Sequence, residues 1–490
     1  MADLFAITLV VLYFVVSAAL GIYSRKWIKT SEHFYGANKL FGWIIIGIAA
    51  SAAAVSGWTF IGGPGLLYML GGGSMWMYFA VALCYPIAWW VLGKRIRLFV
   101  EVRPVATLPD IAAARYKSNA VRVLLAVGIL LGVFAYLATQ VLAGGFVLSG
   151  LLGISLETAI IITFGVIIFY TVIGGMAASI ITDFFQGLVM LFVIILTVIL
   201  VLMMTGGVGP MLLTIAEKDP SFIDPLGKAS WILVLSWAFG LGISVGAQPH
   251  TVTKFLAMRD YKDLRPSLIV AVLGYMAGAI VWFFIGYGAT WLVATGQSAP
   301  PTRPDEATII LLKHLPVWSY ALLYAGALAA IMSTSSAFIS LGVAALVRDI
   351  PKGFGKELGH REQILYGRIA TIIVTVAALI FGYYGGELVA LIGALGMTYF
   401  GAAIFPSLTI GLNWKRATRE AAIVSLLLAH ILNIGFLIWT KVLGGKLPFG
   451  VQTYVVSLGV AIIAMIIVSF LTKSAAEDDI DPDVKIVMET

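Results

Sequence analysis

The chemistry in this 490-residue chain is carried by oxygen rather than by nitrogen or sulfur. The stretch Ala330-Ile-Met-Ser333-Thr334-Ser335-Ser336 places four hydroxyls in consecutive positions. On a helix, Ser333 and Thr334 stand about 100° apart and can face one cavity, with the Ala330 carbonyl one turn below. Hard oxygens of this kind suit a hard cation, and the donor logic of calcium and magnesium extends to sodium. A Ser/Thr run can also bond back to its own preceding turn, so the run alone leaves both readings open. Carbonyl ligands would come from unwound helix. Two apolar stretches are interrupted by Gly and Pro: Ser51-Ala-Ala-Ala-Val-Ser-Gly57-Trp58-Thr59 with Phe60-Ile-Gly-Gly-Pro64-Gly65, and Ser236-Trp237-Ala-Phe-Gly240-Leu-Gly242-Ile-Ser244-Val-Gly246-Ala-Gln248-Pro249-His250. Within lipid, free carbonyls occur only where a helix breaks, here around Ala52 to Ser56. Asp183 is the acid nearest a predicted span interior on the cytoplasmic side. Such a group is costly there and marks an ion path, or it caps the N-terminus of the helix that follows.

Other chemistries find no support. The single cysteine, Cys84, cannot form an intrachain disulfide, and no Cys/His spacing suits a metal. His250 stands alone, and no nucleophile–base pair falls at membrane depth, so an enzyme is not expected, nor an organic cofactor. A channel would commonly show filter carbonyls or charge rings. A sensor would need a larger soluble output domain than residues 473–490.

The elements that must position these oxygens are membrane spans. Hydrophobic residues make up 61% of the chain and charged residues 11%, against about 25% charged in soluble domains. Runs long enough to cross a bilayer are read at 4–23, 40–70, 74–93, 123–150, 157–175, 184–205, 231–250, 267–296, 316–347, 364–384, 387–412, 418–440 and 451–472. Their continuity points to helices, since barrel strands alternate over about 10 residues. The first run lacks a basic flank before it and is followed by Arg25, Lys26 and Lys29, so it reads as a retained span rather than a signal peptide.

The net charge of +7 does not suggest nucleic acid, because the basic residues lie between the spans. With the N-terminus outside, 25 of the 31 Lys and Arg residues fall in inner loops and 6 in outer ones. That is a strong positive-inside signal, which predicts a multi-pass protein of the plasma (inner) membrane with a cytoplasmic C-terminus. The acidic stretch Glu477 to Asp483 reads as part of a solvated cytoplasmic tail, 473–490. The two interrupted spans start five spans apart, which suits an inverted pair of five-helix repeats, about 40–205 and 231–412. Spans 4–23, 418–440 and 451–472 then lie outside the pair, within one transport domain, 1–472.

Several motifs in order carry a resemblance: Ser56-Gly57-Trp58, Phe60 to Gly65, Gly174-Gly175 with Thr182-Asp183 and Gln186, Gln248-Pro249-His250, Met332-Ser333-Thr334, and Asn413-Trp414-Lys415-Arg416-Ala417. From about residue 5 to 470 the chain resembles the sodium:solute symporter family, whose members carry proline, pantothenate, monocarboxylates and sugars. It is nearest the pantothenate and proline branch. The resemblance implies an all-α, LeuT-like fold of about 13 transmembrane helices, with discontinuous helices in a five-plus-five repeat. It implies Na+ as the coupling ion, bound by the Ala52, Val55 and Ala330 carbonyls and the Ser333 and Thr334 hydroxyls, with Asp183 on the exit path. The sugar branch has a Ser at the place of Ala330.

The same comparison bears on the solute. The proline branch has an Asp where this chain has Ala54, and a Trp and a Tyr where it has Leu241 and Val245; Tyr136 matches. The reading therefore leans from proline to another small carboxylate, pantothenate-like, a monocarboxylate or an amino acid, imported by alternating access. A neutral solute such as a sugar, or proton coupling on the same fold, is the alternative. Ser56, Trp58, Tyr136, Trp237, Ser244, Gln248 and Tyr399 are the candidate solute contacts, and each aromatic could equally pack or anchor at the interface. The expected partners are a small molecule and the lipid bilayer, with no obligate protein partner.

Overall fold

A computed structural model describes residues 4–385, 389–473 and 480–490. The start of the expected span 387–412 and the tail segment 474–479 lie outside the described residues. Among those described, helices account for the fold, and the strand-like pairing is an isolated bridge between Phe41 and Met258.

Eleven stretches among the described residues are long and apolar enough to cross a membrane. Two are too long for one crossing: Leu156–Thr205 has 50 residues and Trp58–Val102 has 45, where about 20 suffice. The first bends at Gly175, whose φ of 50° and ψ of −142° are not helical. A side chain there would also meet the Phe34 carbonyl at 2.6 Å, so only glycine fits. The second turns at Gly71, φ 67°. Counting each stretch twice brings eleven to thirteen crossings, as the apolar runs predict.

The second span is the broken one of its repeat. Trp43–Ala54 ends where Val55 becomes extended (φ −79°, ψ 96°), and helix resumes after Ser56. Neighbours satisfy the freed donors. Gln140 Oε1 accepts from the Gly57 N–H at 3.0 Å, and Ser56 Oγ accepts from the Trp58 N–H at 3.1 Å. The Phe60 to Gly65 stretch, expected as part of the interruption, is helical. Its glycines serve close packing: a Cβ on Gly63 would enter the Trp282 ring at 2.1 Å. The seventh span is broken too, with Trp231–Val245 ending before Gly246 and Pro249–Val252 beginning after an extended Gln248.

Loops expected on one side of the bilayer meet one another. Lys39 pairs with Glu101 at 2.7 Å, the Arg97 guanidinium donates to the Arg259 carbonyl at 2.8 Å, and Ser31 Oγ meets His360 Nδ1 at 2.8 Å. On the opposite side, Tyr287 donates to the Phe222 carbonyl at 2.8 Å and Tyr383 to Glu157 at 2.7 Å. The basic face is tied by a buried knot. Asp110, 8% exposed, holds Arg122 at 2.5 Å and also Arg348. Burial pushes the Asp110 carboxyl up, but the Arg348 and Arg122 guanidiniums outweigh it and hold it down at about 2.

The described part of the tail corrects the expectation of a solvated end. Pro482–Glu489 is a helix, and Ile480, Val484, Val487 and Met488 are buried. Their spacing is one apolar helical stripe. Arg103 holds Asp481 at 2.8 Å and Asp483 at 2.6 Å, and Lys415 holds Glu489 at 3.0 Å. The acidic residues that suggested solvation are the groups that dock it.

Candidate functional site

The hydroxyl run sits on the ninth span, Val317–Ala344, against the broken second span. Ser333 Oγ lies 2.9 Å from the Ala52 carbonyl and 3.1 Å from that of Ala330. Thr334 Oγ1 lies 2.9 Å from the Ala53 carbonyl and 3.0 Å from that of Ala330. Both hydroxyls are fully buried. Each carries one proton and faces two carbonyls, so two protons serve four close oxygen–oxygen contacts. Back-bonding is present, yet it does not exhaust the arrangement. The oxygens converge on a region rich in lone pairs and poor in protons, which is the donor set a hard cation needs. Of the expected ligands, Ala52, Ala330, Ser333 and Thr334 come together. The hydroxyls reach Ala53 rather than Val55, which is buried at the break with its N–H on the Ser51 carbonyl at 2.7 Å. Ser335 Oγ donates only to Ile331, one turn back, at 2.7 Å.

Asp183 is not a helix cap. It lies well inside the helix after the Gly175 kink and is fully buried. Ser336 and Ser179, 2.9 Å apart, each reach one of its oxygens at 3.4 Å. Its counterion is Lys254, at 3.1 Å. The charge pattern assigns Lys254 to an inner loop, but the side chain is wholly buried.

A narrow cavity of about 10 Å³, room for about one water, lies between the two breaks. Trp58, Tyr136 and Gln248, all expected, line it, together with Ala54, Val81, Tyr85, Val245, His250, Thr251, Tyr275 and Met397. Ser56 supports it by pairing with Tyr136 OH at 3.2 Å. The other expected contacts lie elsewhere. Tyr399 OH bonds His430 Nδ1 at 3.2 Å, towards the twelfth span. Ser244 Oγ packs where a Cβ on Gly401 would sit, 1.9 Å away. Trp237 is buried but is not part of the lining. Among the described residues, no Asp, Glu, Lys or Arg lines the cavity. Gln248 Nε2 donates to the Ser244 and Met397 carbonyls, both at 3.0 Å. Two acceptors fix the amide orientation, since a carbonyl cannot donate. Among the described residues, Gln248 Oε1 and His250 Nδ1 have no hydrogen-bond partner. On the side opposite the basic face, Thr308 Oγ1 donates to the Phe60 carbonyl at 2.7 Å and Asp305 accepts from the Val389 N–H at 3.2 Å, roofing the site.

The family model for the sodium:solute symporter family matches residues 34–429. The chain belongs to the sodium:solute symporter family. Its activity is sodium-coupled symport of a small solute. Among its relatives is the osmoregulated proline transporter OpuE of Bacillus subtilis (strain 168), 27% identical, with 95% of this chain and 94% of that protein covered. Another is the sodium/proline symporter of Staphylococcus aureus (strain NCTC 8325 / PS 47), also 27% identical, with 95% and 92% covered. A sodium-coupled sialic acid symporter, solved in a substrate-bound outward-open state, superposes with a TM-score of 0.81 at 17% identity, covering 97% of this chain and 99% of that one. Mhp1, a nucleobase-cation-symport-1 transporter, superposes at 0.57 with 16% identity, covering 93% and 98%. The fold is thus the LeuT-like one of this symporter. Most residues that line its cavity are aromatic or aliphatic, and such side chains face lipid and cavity alike.

Proposed function

We propose that this symporter imports a small zwitterionic amino or imino acid with Na+ held by the Ala52, Ala53 and Ala330 carbonyls and the Ser333 and Thr334 hydroxyls. The observation that carries the solute class is Gln248 Oε1, a buried acceptor on a cavity-lining residue that lacks a donor among the described residues. A buried acceptor left unpaired costs about 1–3 kcal/mol, and a substrate ammonium or imino N–H removes that cost. With no basic side chain among the described lining residues, the carboxylate is left to the bound sodium. The two relatives named as proline transporters support an amino acid over a plain monocarboxylate, although Ala54 departs from the proline pattern. Asp183 serves as the ion's next oxygen towards the basic face.

Sodium-dependent uptake into proteoliposomes tests this across proline, neutral L-amino acids, betaine, pantothenate and propionate. Amino or imino acids should accumulate, and betaine, which has a positive nitrogen without N–H, should not. Uptake of propionate or pantothenate with none of any amino acid would overturn the assignment.

We place the chain in the plasma membrane, with the N-terminus outside and the basic face in the cytoplasm. In a Cys84→Ser background, Asp224→Cys should react with an impermeant thiol reagent from outside, and Lys262→Cys and Lys356→Cys only from inside. All three positions are exposed. External labelling of Lys356→Cys would invert this topology.

A further inference from the structure

Among the described ion pairs, Lys254–Asp183 has both side chains wholly buried. A pair so placed costs much desolvation and is weak evidence for stability alone, so its position in the fold matters more. Lys254 belongs to the short helical segment that follows the seventh-span break, Lys254–Ala257. That segment is tied by backbone to the start of the second span. Lys39 N–H donates to the Leu256 carbonyl at 3.1 Å, Phe41 N–H to that of Ala257 at 3.0 Å, and Arg259 N–H to that of Phe41 at 2.8 Å. The inner ends of both broken spans therefore form one unit. Asp183 belongs to the other side, on the sixth span, joined to the ninth through Ser179 and Ser336. The ammonium bridges the two units, and it also donates to the His250 carbonyl at 3.2 Å, within the segment that lines the cavity.

The carboxylate lies one helical turn from the ion oxygens. Ser336 Oγ, which reaches Asp183, also donates to the Ser333 carbonyl at 3.1 Å. A cation leaving Ser333 and Thr334 towards the basic face meets Asp183 next, and finds it neutralised by another cation of the same charge. We infer that Lys254 is a tethered cation that latches the inner exit, and that sodium arriving at Asp183 displaces it. The exchange leaves the charge on Asp183 balanced, so the buried carboxylate is never without a counterion. Displacement frees the inner unit, so ion descent and opening of the inner path become one event. Lys254 is thus a positioning residue of the transport cycle. The inference rests on the sodium reading proposed above.

Ser340 reports on the path. It is buried, donates to the Ser336 carbonyl at 2.9 Å, and lies one turn further along the same helix stripe. In Cys84→Ser proteoliposomes, the labelling rate of Ser340→Cys from the inner face is measured with and without sodium. With Lys254 present, sodium should raise the rate. Lys254→Met should raise it at least tenfold in either condition, and Lys254→Arg should keep the sodium dependence. If Lys254→Met alone is poorly folded, Lys254→Met with Asp183→Asn removes both charges and should also label fast and independently of sodium. Labelling that stays slow in both neutral variants overturns the latch. Fast labelling in Lys254→Met, with no sodium response when Lys254 is present, keeps the latch and instead sinks the assignment of sodium as the displacing ion.

Discussion

Asp110→Asn is expected to destabilise the folded symporter by about 3–5 kcal/mol, the range for breaking a buried pair by removing one partner. The Arg122 and Arg348 side chains are each 9% exposed, and both pair with this carboxylate. An amide of the same shape removes the carboxylate that holds Arg122 and leaves Arg348 with Asp349, at 3.5 Å. The pH dependence follows from the sign of the shift. The Asp110 carboxyl is held down at about 2 in the folded chain, below the unfolded value of about 3.9. Its contribution is therefore complete above pH 4 and fades only as pH falls towards 2. Between pH 5 and 8 this group should add no slope to stability. Thermal unfolding of the detergent-solubilised protein, followed by the monodisperse fraction, should show an early collapse for Asp110→Asn at every pH in that window. A melting profile that overlays the unsubstituted protein would mean the knot carries little stability.

Much of the fold is legible in the chain because a bilayer imposes a length and a composition on every crossing. The thirteen apolar runs correspond to thirteen crossings even where two helices merge end to end at Gly175 and Gly71. The breaks are legible at Ser56 and Gln248, where small or polar residues cannot hold the ladder. They are overdrawn at Gly62 to Gly65, where glycine marks the close approach of Trp282 and Pro304 and not an unwound turn. Charge misleads in two places for one reason: Lys and Asp read as solvent-exposed unless a partner is known. Lys254 finds Asp183, and Asp481 and Asp483 find Arg103, across separations in sequence that no local pattern exposes. The ion oxygens are more legible than the cavity. Ser333 and Thr334 are polar residues in an apolar span and so stand out, whereas Val81, Tyr275 and Met397 look like any lipid-facing residue.

Replacing both Ser333 and Thr334 by Ala should raise the sodium concentration for half-maximal uptake at least tenfold, about 1.4 kcal/mol. The double substitution removes two of the five converging oxygens and leaves the ninth span intact, since Ala is a good helix former. It also removes the contacts to the Ala52 and Ala53 carbonyls, so some loss of stability is expected from packing alone. Sodium dependence separates the two roles. If the hydroxyls only tie the ninth span to the second, the variant should unfold at a lower temperature while its sodium response is unchanged. If they are ligands, the response shifts to higher sodium in whatever protein remains folded, and saturating sodium restores much of the uptake. Ser335→Ala is the matched control. Its hydroxyl bonds only within its own helix, to Ile331, so it removes one buried oxygen from the same stretch without touching the convergence. The sodium response of Ser335→Ala should stay within about twofold of the unsubstituted symporter, or about 0.4 kcal/mol. Equal shifts in the control and the double variant would show that the effect belongs to the helix and not to the oxygens that face Ala52 and Ala53.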